Sequence, residues 1–191
     1  MGLLNILNTV KAITDFASDE KTVEAFSNFK KLGDGLGMFI DTNKDGQFTM
    51  NDFNTLLEVS QAYASIIGHV STLEENELSD DELDAGLSVI NNLCFSENGF
   101  LNDKIIEFSG MPKKQIKNNV FDKISNPISL KKISKEAITI EKEEEFYKIA
   151  CSVVYADKII TQNERDFLDH FAKELGLSKF DVKVIEKQFK V

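Results

Sequence analysis

The stretch FNTLLEVSQAYASIIGHV, residues 53–70, decides the fold class. Its large apolar side chains recur at helical spacing, at Phe53, Leu56 and Leu57 and again at Tyr63, Ile66 and Ile67. This spacing predicts one long helix with a buried face. The chain has only two prolines in 191 residues, and no strand pattern runs beyond about three residues. The sequence therefore predicts an all-α protein.

The stretch DTNKDGQFTMND, residues 41–52, lies immediately before this helix. In its first half, side chains that carry oxygen ligands occur at every second residue. A hard cation such as Ca²⁺ prefers about six to eight oxygen ligands. Gly46 allows the sharp turn that a loop around an ion needs, and Phe48 offers an apolar contact beyond it. The sequence predicts a metal site whose ligands are Asp41, Asn43, Asp45, the carbonyl of Gln47, Thr49 (directly or through a water) and Asp52.

This loop resembles the EF-hand family over roughly residues 30–65. Four features of this stretch align with the EF-hand pattern. They are the order D-x-N-x-D-G, an apolar eighth residue, an acid as the twelfth residue and the Phe-x-x-Leu-Leu run that follows. The resemblance implies bound Ca²⁺. Asp52, however, stands where the family usually has Glu and is one methylene shorter, which narrows the preference for Ca²⁺ over Mg²⁺. We therefore expect Ca²⁺, with Mg²⁺ as the alternative.

The segment before the loop is rich in glycine, at Gly33, Gly35 and Gly37. Glycine in a helix interior costs about 1 kcal/mol relative to alanine, so this helix is expected to be short or kinked. Two interpretations stay open: a hinge that becomes ordered when metal binds, and close helix packing. EF-hands usually pair, so this loop would pair with a second copy of the chain or with one of its own related turns.

An acidic stretch divides the chain into two predicted units. Residues 74–84 carry seven acids and no base, and we place the boundary there, between units 1–75 and 76–191. Capping boxes predict helix starts at Ser79, Thr161 and Ser178. Pro112 and Pro127 mark two further starts, and Gly176 marks a helix end.

Near the C-terminus, VVYADKIITQNERDFLDHFAKELGLS resembles the TerB-like tellurite-resistance family, also seen in the N-terminal part of DjlA-type co-chaperones. The resemblance covers residues 79–191 and is strongest over 146–178, although Lys158 replaces the expected glycine. It implies a compact helical bundle without known catalysis, linked to metal or stress responses and to assembly with other proteins. Only Asp157 and Glu164 match the family's turn acids, so they form a second, weak candidate metal site. Alternatively, Glu164 caps its own helix and Asp157 stabilises the turn.

Charge and composition limit the classes of partner. A net charge of −10 at pH 7 argues against a nucleic-acid binder. Residues 112–137 carry seven lysines, which form either a solvated helix face or a docking surface for an acidic partner or anionic lipid. The apolar residues 3–13 predict a helix that packs on the core, with peripheral membrane contact as the alternative. No run is long enough for a transmembrane segment. Cys94 and Cys151 lie in apolar stretches, as expected for buried thiols in a reducing cytoplasm.

No nucleophile, phosphate-loop or zinc-protease motif is present in the sequence. His69 and His170 are the only histidines. His170 and Glu174 lie four residues apart on one predicted helix, but no third ligand is evident. We therefore expect a cytoplasmic, non-enzymatic, calcium-binding adaptor or sensor with another protein as its partner. A structural Ca²⁺ or Mg²⁺ site or buffer without a switch is the first alternative, and a hydrolase-like activity in the acidic turns is the second. The oligomeric state stays open.

Overall fold

The computed structural model describes residues 48–73, 80–97, 99, 101–155 and 160–189. These ranges contain eight α-helices and no strand, which confirms the predicted all-α class. In chain order the helices are α1 Met50–Ser71, α2 Asp80–Phe95, α3 Asp103–Ser109, α4 Lys113–Ser125, α5 Leu130–Thr139, α6 Glu143–Val154, α7 Gln162–Glu174 and α8 Lys179–Glu186.

Helix α1 is the central helix of the described residues. It runs for 22 residues, and the predicted apolar positions Phe53, Tyr63 and Ile66 are fully buried. It packs on α4 most closely and also on α2, α3, α5 and α6. The helix predicted over residues 53–70 is therefore confirmed, and it shares one hydrophobic core with the helices that follow it. The predicted boundary between residues 75 and 76 lies outside the described residues and stays a prediction.

Helices α1 and α4 approach each other at a glycine. A Cβ on Gly68 would lie 2.1 Å from the carbonyl oxygen of Ile124, so only glycine allows this backbone contact. The connection after α4 is then fastened to α1 by two hydrogen bonds. The backbone N–H of Ile128 donates to Ser65 Oγ at 3.0 Å, and Nε2 of His69 donates to the Ile128 carbonyl at 2.7 Å. These contacts fix where α5 begins.

The local helix signals are mostly confirmed. Thr161 and Ser178 each form a complete capping box, with Glu164 and Asp181 as the reciprocal acids. Gly176 ends α7 with a φ of 73°, a left-handed conformation that favours glycine. Residue Ser79 lies outside the described residues, and α2 begins directly after it.

The two prolines lie slightly outside the positions that the sequence predicts. Pro112 is the N-cap residue of α4, and the helix itself begins at Lys113. Pro127 lies two residues before Ser129, the N-cap of α5. Both prolines therefore precede a helix rather than occupy its first turn, and Pro112 itself has extended backbone angles.

Both cysteines are buried free thiols, as their apolar surroundings predict. Burial raises the pKa of the Cys94 thiol to about 12, although a hydrogen bond with Ser60 lowers it somewhat. The thiolate is the reactive form of cysteine, so Cys94 is an inert core residue. None of the helices in the described ranges combines the length and the apolar character that a membrane crossing requires.

Candidate metal centre at the start of the first helix

The last residues of the predicted metal loop form the start of α1. Thr49 is the N-cap residue, and its hydroxyl accepts the backbone N–H of Asp52 at 3.4 Å. The carboxylate of Asp52 reaches back, and its Oδ2 accepts the Thr49 N–H at 2.7 Å and the Thr49 hydroxyl at 2.6 Å. This capping box holds two of the six predicted ligands next to each other at the N-terminus of the helix.

The burial of Asp52 bears on whether these residues suit a cation. Its side chain is fully buried, and a buried carboxylate is stable only when hydrogen bonds or positive charge compensate it. The N-terminus of α1 supplies part of that compensation through its dipole. The hydroxyl of Thr49 and the carboxylate of Asp52 are the hard oxygen donors that Ca²⁺ and Mg²⁺ prefer. The two described residues therefore carry donor atoms of the type that the predicted ion prefers, and their role as ligands stays a prediction.

The other four predicted ligands are Asp41, Asn43, Asp45 and Gln47, and they lie outside the described residues. Metal binding by the complete set stays a prediction. Within the described ranges, no group of three or more His, Cys, Asp or Glu side chains could hold a metal ion. A metal centre at α1 consequently depends on the loop residues that precede Phe48.

The apolar eighth residue of the predicted loop contacts α3. The half-buried ring of Phe48 meets the ring of Phe108 on α3 edge to face, with their centroids 5.1 Å apart. Phe53, one turn into α1, is fully buried. The end of the loop is thus fixed by the buried start of α1 on one side and by an aromatic contact at the surface on the other.

The second predicted site has a different local arrangement. Oε2 of Glu164 accepts the Thr161 N–H at 2.9 Å and the Thr161 hydroxyl at 3.1 Å, which is the capping role considered as its alternative. Asp157 lies outside the described residues. Asn163 Nδ2 donates to the carbonyl of Leu73 at 3.1 Å, so the start of α7 is attached to the end of α1. A metal ion at Asp157 and Glu164 stays a prediction.

The sequence analysis missed a buried polar cluster around Glu186. This side chain is 5% exposed. Its Oε1 accepts Tyr147 OH at 3.0 Å and Arg165 Nη1 at 2.8 Å, and its Oε2 accepts Tyr155 OH at 2.9 Å. Arg165 Nη2 also donates to Tyr155 OH at 2.9 Å. Burial raises the pKa of both tyrosines, so they act as hydrogen-bond donors. The cluster joins α6, α7 and α8.

One sequence signal could have pointed to this cluster. Arg165 is the single arginine beside 21 lysines. Arginine presents a planar set of donors that lysine cannot copy, so the one arginine of a lysine-rich chain is a candidate for a position that makes two directed bonds. The tyrosines and Glu186 carry no such signal, because their spacing along the chain is unrelated to their contact.

Residues 92–189 match a family described as "Protein of unknown function (DUF533)". The matched region is just over half of the chain and extends from the end of α2 through α8. It includes Phe108 and the Glu186 cluster, whereas the predicted metal loop precedes it. No curated protein and no solved structure matches the chain significantly.

Proposed function

This chain belongs to the DUF533 family, which has a TerB-like helical fold, and from that premise we propose that it is a calcium-binding adaptor. The DUF533 region would provide the surface that another protein recognises. The loop at residues 41–52 would bind Ca²⁺, or Mg²⁺ as the alternative, and would be an addition to the family region. We assign no catalytic role to either part, and we place the adaptor in a cytoplasmic metal or stress response.

The observation that carries this proposal is the buried capping box of Asp52. An acid at this place is fixed by Thr49 and lies at the N-terminus of the central helix. An ion that engages the Asp52 carboxylate would therefore act directly on α1, which packs on most of the other described helices. The residues themselves would hold the ion, and the ion would place positive charge beside the buried carboxylate.

The exposed lysines of α4 and α5 favour an acidic protein as the partner. Lys114, Lys131, Lys132 and Lys135 are exposed on a chain whose net charge is −10. An anionic membrane would repel the acidic chain as a whole, whereas a short acidic segment of a protein would meet only the lysine-rich surface. Loss of binding to the acidic partner at high salt would be expected.

The alternative is a structural site without a switch. It is favoured by the same position of Asp52, because an ion at the start of the central helix would stabilise the whole fold. Ligand binding to the native state alone adds about 2.7 kcal/mol at a concentration one hundred times Kd. A higher melting temperature with unchanged amide spectra would favour this alternative over a sensor.

Calorimetric titration of chelator-stripped full-length protein tests the proposal. We expect Ca²⁺ to bind at the weak end of the sensor range, with a Kd of about 10 μM, because Asp52 is short. Asp41→Ala should abolish the heat of Ca²⁺ binding, since it removes the first ligand of the loop. The matched control Asp169→Ala changes an exposed aspartate on α7 and should leave binding intact. Repeating the titration in millimolar Mg²⁺ measures selectivity.

Two outcomes of this titration would contradict the proposal. One is the absence of Ca²⁺ or Mg²⁺ binding to the unaltered protein. The other is binding of equal strength in the Asp41→Ala variant, which would place the ion elsewhere in the chain.

A further inference from the structure

Helix α8 keeps one of its faces exposed among the residues that the structure describes. Phe180, Lys183, Val184 and Lys187 are all exposed, and their spacing places them on one side of the helix. Phe180 is 74% exposed, the highest value for any large apolar side chain in the described ranges, and Val184 is 46% exposed. A single exposed apolar residue is ordinary, whereas these two lie one helical turn apart and form a small apolar patch.

The opposite face of α8 fixes this orientation. Ile185 is buried in the core, and the carboxylate of Glu186 accepts the hydrogen bonds of the buried cluster. Just beyond the helix, Phe189 stacks on the ring of Tyr155, and the two ring centroids are 6.3 Å apart. Turning Phe180 towards the core would break all of these contacts. The apolar patch is therefore held at the surface.

Three lysines surround the apolar patch. Lys179, Lys183 and Lys187 follow one another at intervals of four residues, and each is exposed. None of them forms an ion pair with another residue of the described ranges. The two acids of α8 are bonded within the fold, Asp181 in the N-terminal capping box and Glu186 in the buried cluster. The outer face of α8 is therefore positively charged, on a chain whose net charge is −10.

We propose that this face binds a short acidic segment of another protein that carries at least one large apolar side chain. The α8 surface consists of Lys179, Phe180, Lys183, Val184 and Lys187. The apolar side chain of the partner would cover Phe180 and Val184, and its carboxylates would pair with the lysines beside them. Complementary charge across an interface selects the partner and speeds its association. The α8 surface is distinct from the lysines of α4 and α5, and its role does not depend on metal binding by residues 41–52.

An anionic membrane fits the α8 surface less well than an acidic segment does. A helix that lies in a membrane interface buries a broad apolar face in the lipid. In α8, by contrast, Ile185 is buried and Val182 packs against the protein core, so only two apolar side chains face outwards. An anionic lipid surface would also repel a chain whose net charge is −10. A short segment of a protein matches the size and the charge of this patch.

Selection of peptides on the full-length protein tests the proposal. The probe is a display library of random dodecapeptides, and fluorescence anisotropy of labelled copies of the enriched peptides measures their affinity. We expect the enriched peptides to combine acidic residues with at least one large apolar residue. Phe180→Ala should weaken their binding about five- to thirtyfold, because a large aromatic side chain at the centre of an interface is often a hot spot. Its circular dichroism should be unchanged, since this side chain is mostly exposed.

Two matched controls separate the α8 surface from general effects of apolar area and charge. Phe108→Ala removes an aromatic ring that is 49% exposed on α3, and it should leave peptide binding unchanged. Lys183→Gln should weaken binding about two- to fivefold, whereas Lys173→Gln, at an exposed position on α7, should not. Binding should also weaken as the salt concentration rises.

Three outcomes would overturn the proposal. The first is that no peptide is enriched, or that the enriched peptides bind Phe180→Ala and Lys183→Gln as tightly as the unaltered protein. The second is Phe180-dependent binding to vesicles that contain phosphatidylserine, without enrichment of peptides, which would assign the α8 surface to a membrane. The third is self-association in light scattering that Phe180→Ala abolishes, which would assign the surface to a second copy of the chain. The Ca²⁺ titration decides the metal site separately, because a protein that binds no metal can still bind these peptides.

Discussion

Arg165 shows how one residue can unite three helices. Its two terminal nitrogens donate to different acceptors, Glu186 on α8 and Tyr155 at the end of α6, each at 2.9 Å or less. Bonds to a charged partner contribute about 1.5–3 kcal/mol, and an unpaired buried acceptor is costly. Because Glu186 is almost fully buried, the guanidinium both binds and neutralises it.

Replacing Arg165 by lysine should therefore destabilise the fold. We expect Arg165→Lys to lower the free energy of unfolding by about 1–2 kcal/mol, because an ammonium cannot reach both acceptors. The expected loss lies towards the lower end of the range for bonds to a charged partner, because 30% of the arginine side chain is exposed to solvent. Urea denaturation monitored by circular dichroism measures the change.

A matched control comes from an exposed ion pair. Glu144 lies 3.9 Å from Lys148 and is 56% exposed, so Glu144→Gln should change stability by less than about 0.5 kcal/mol. Equal effects of Arg165→Lys and Glu144→Gln would show that the buried cluster contributes nothing specific.

At the scale of elements, the fold depends on the close approach of α1 and α4. The backbone of α1 at Gly68 faces the carbonyl of Ile124 at a distance that excludes any Cβ. A backbone oxygen cannot rotate away as a side chain can. This helix pair also carries the bonds from Ser65 and His69 to Ile128, so its spacing sets the position of the next helix.

Two glycine substitutions separate backbone clashes from side-chain clashes. Gly68→Ala should cost about 3 kcal/mol or prevent folding, because the helices must move apart. Gly86→Ala on α2 places its Cβ 2.5 Å from Cγ2 of Ile67, a buried β-branched side chain that has to shift, while alanine gains about 1 kcal/mol of helix propensity. We expect a net cost of about 1–2 kcal/mol for this variant, less than that of Gly68→Ala. Thermal unfolding of both variants measures the difference in stability. A smaller loss of stability for Gly68→Ala than for Gly86→Ala would contradict the close approach of α1 and α4 at Gly68.

For the whole molecule, negative charge is the dominant electrostatic feature. The net charge of −10 weakens the compact state through self-repulsion at neutral pH. Glu136 on α5 is a specific case, because burial and the neighbouring Glu58 of α1 raise the pKa of its carboxyl above the ordinary value of 4.5. Lys132 and Lys135 oppose this shift.

The raised pKa predicts how stability changes with pH. The folded protein holds the Glu136 proton more tightly than the unfolded chain does, so this stabilisation is complete below pH 4.5 and is lost as pH rises through the folded-state pKa. Glu136→Gln should therefore be more stable than the unaltered protein at neutral pH, and the difference should narrow towards roughly pH 4. Urea unfolding at several pH values between these limits measures it.

A second carboxylate provides the control for this pH dependence. Glu107 is exposed on α3, and Glu107→Gln should change the free energy of unfolding at neutral pH by less than about 0.5 kcal/mol. If Glu136→Gln changes stability no more than this control does, the proximity of Glu58 and Glu136 has no energetic consequence.

The sequence by itself determined the features that depend on neighbours within about four residues along the chain. The apolar spacing of α1 and the boxes at Thr161 and Ser178 are of this kind. The box that Thr49 forms with Asp52 is equally local. Their binding of an ion still depends on residues 41–47, which lie outside the described residues.

Only the tertiary structure decided the contacts between residues that are distant in sequence. It places α1 in the same core as the helices of the family region. It brings Arg165 to Glu186, His69 to Ile128 and Phe48 to Phe108. Such contacts depend on how whole helix faces pack together, and the local spacing of side chains specifies the face but not its partner.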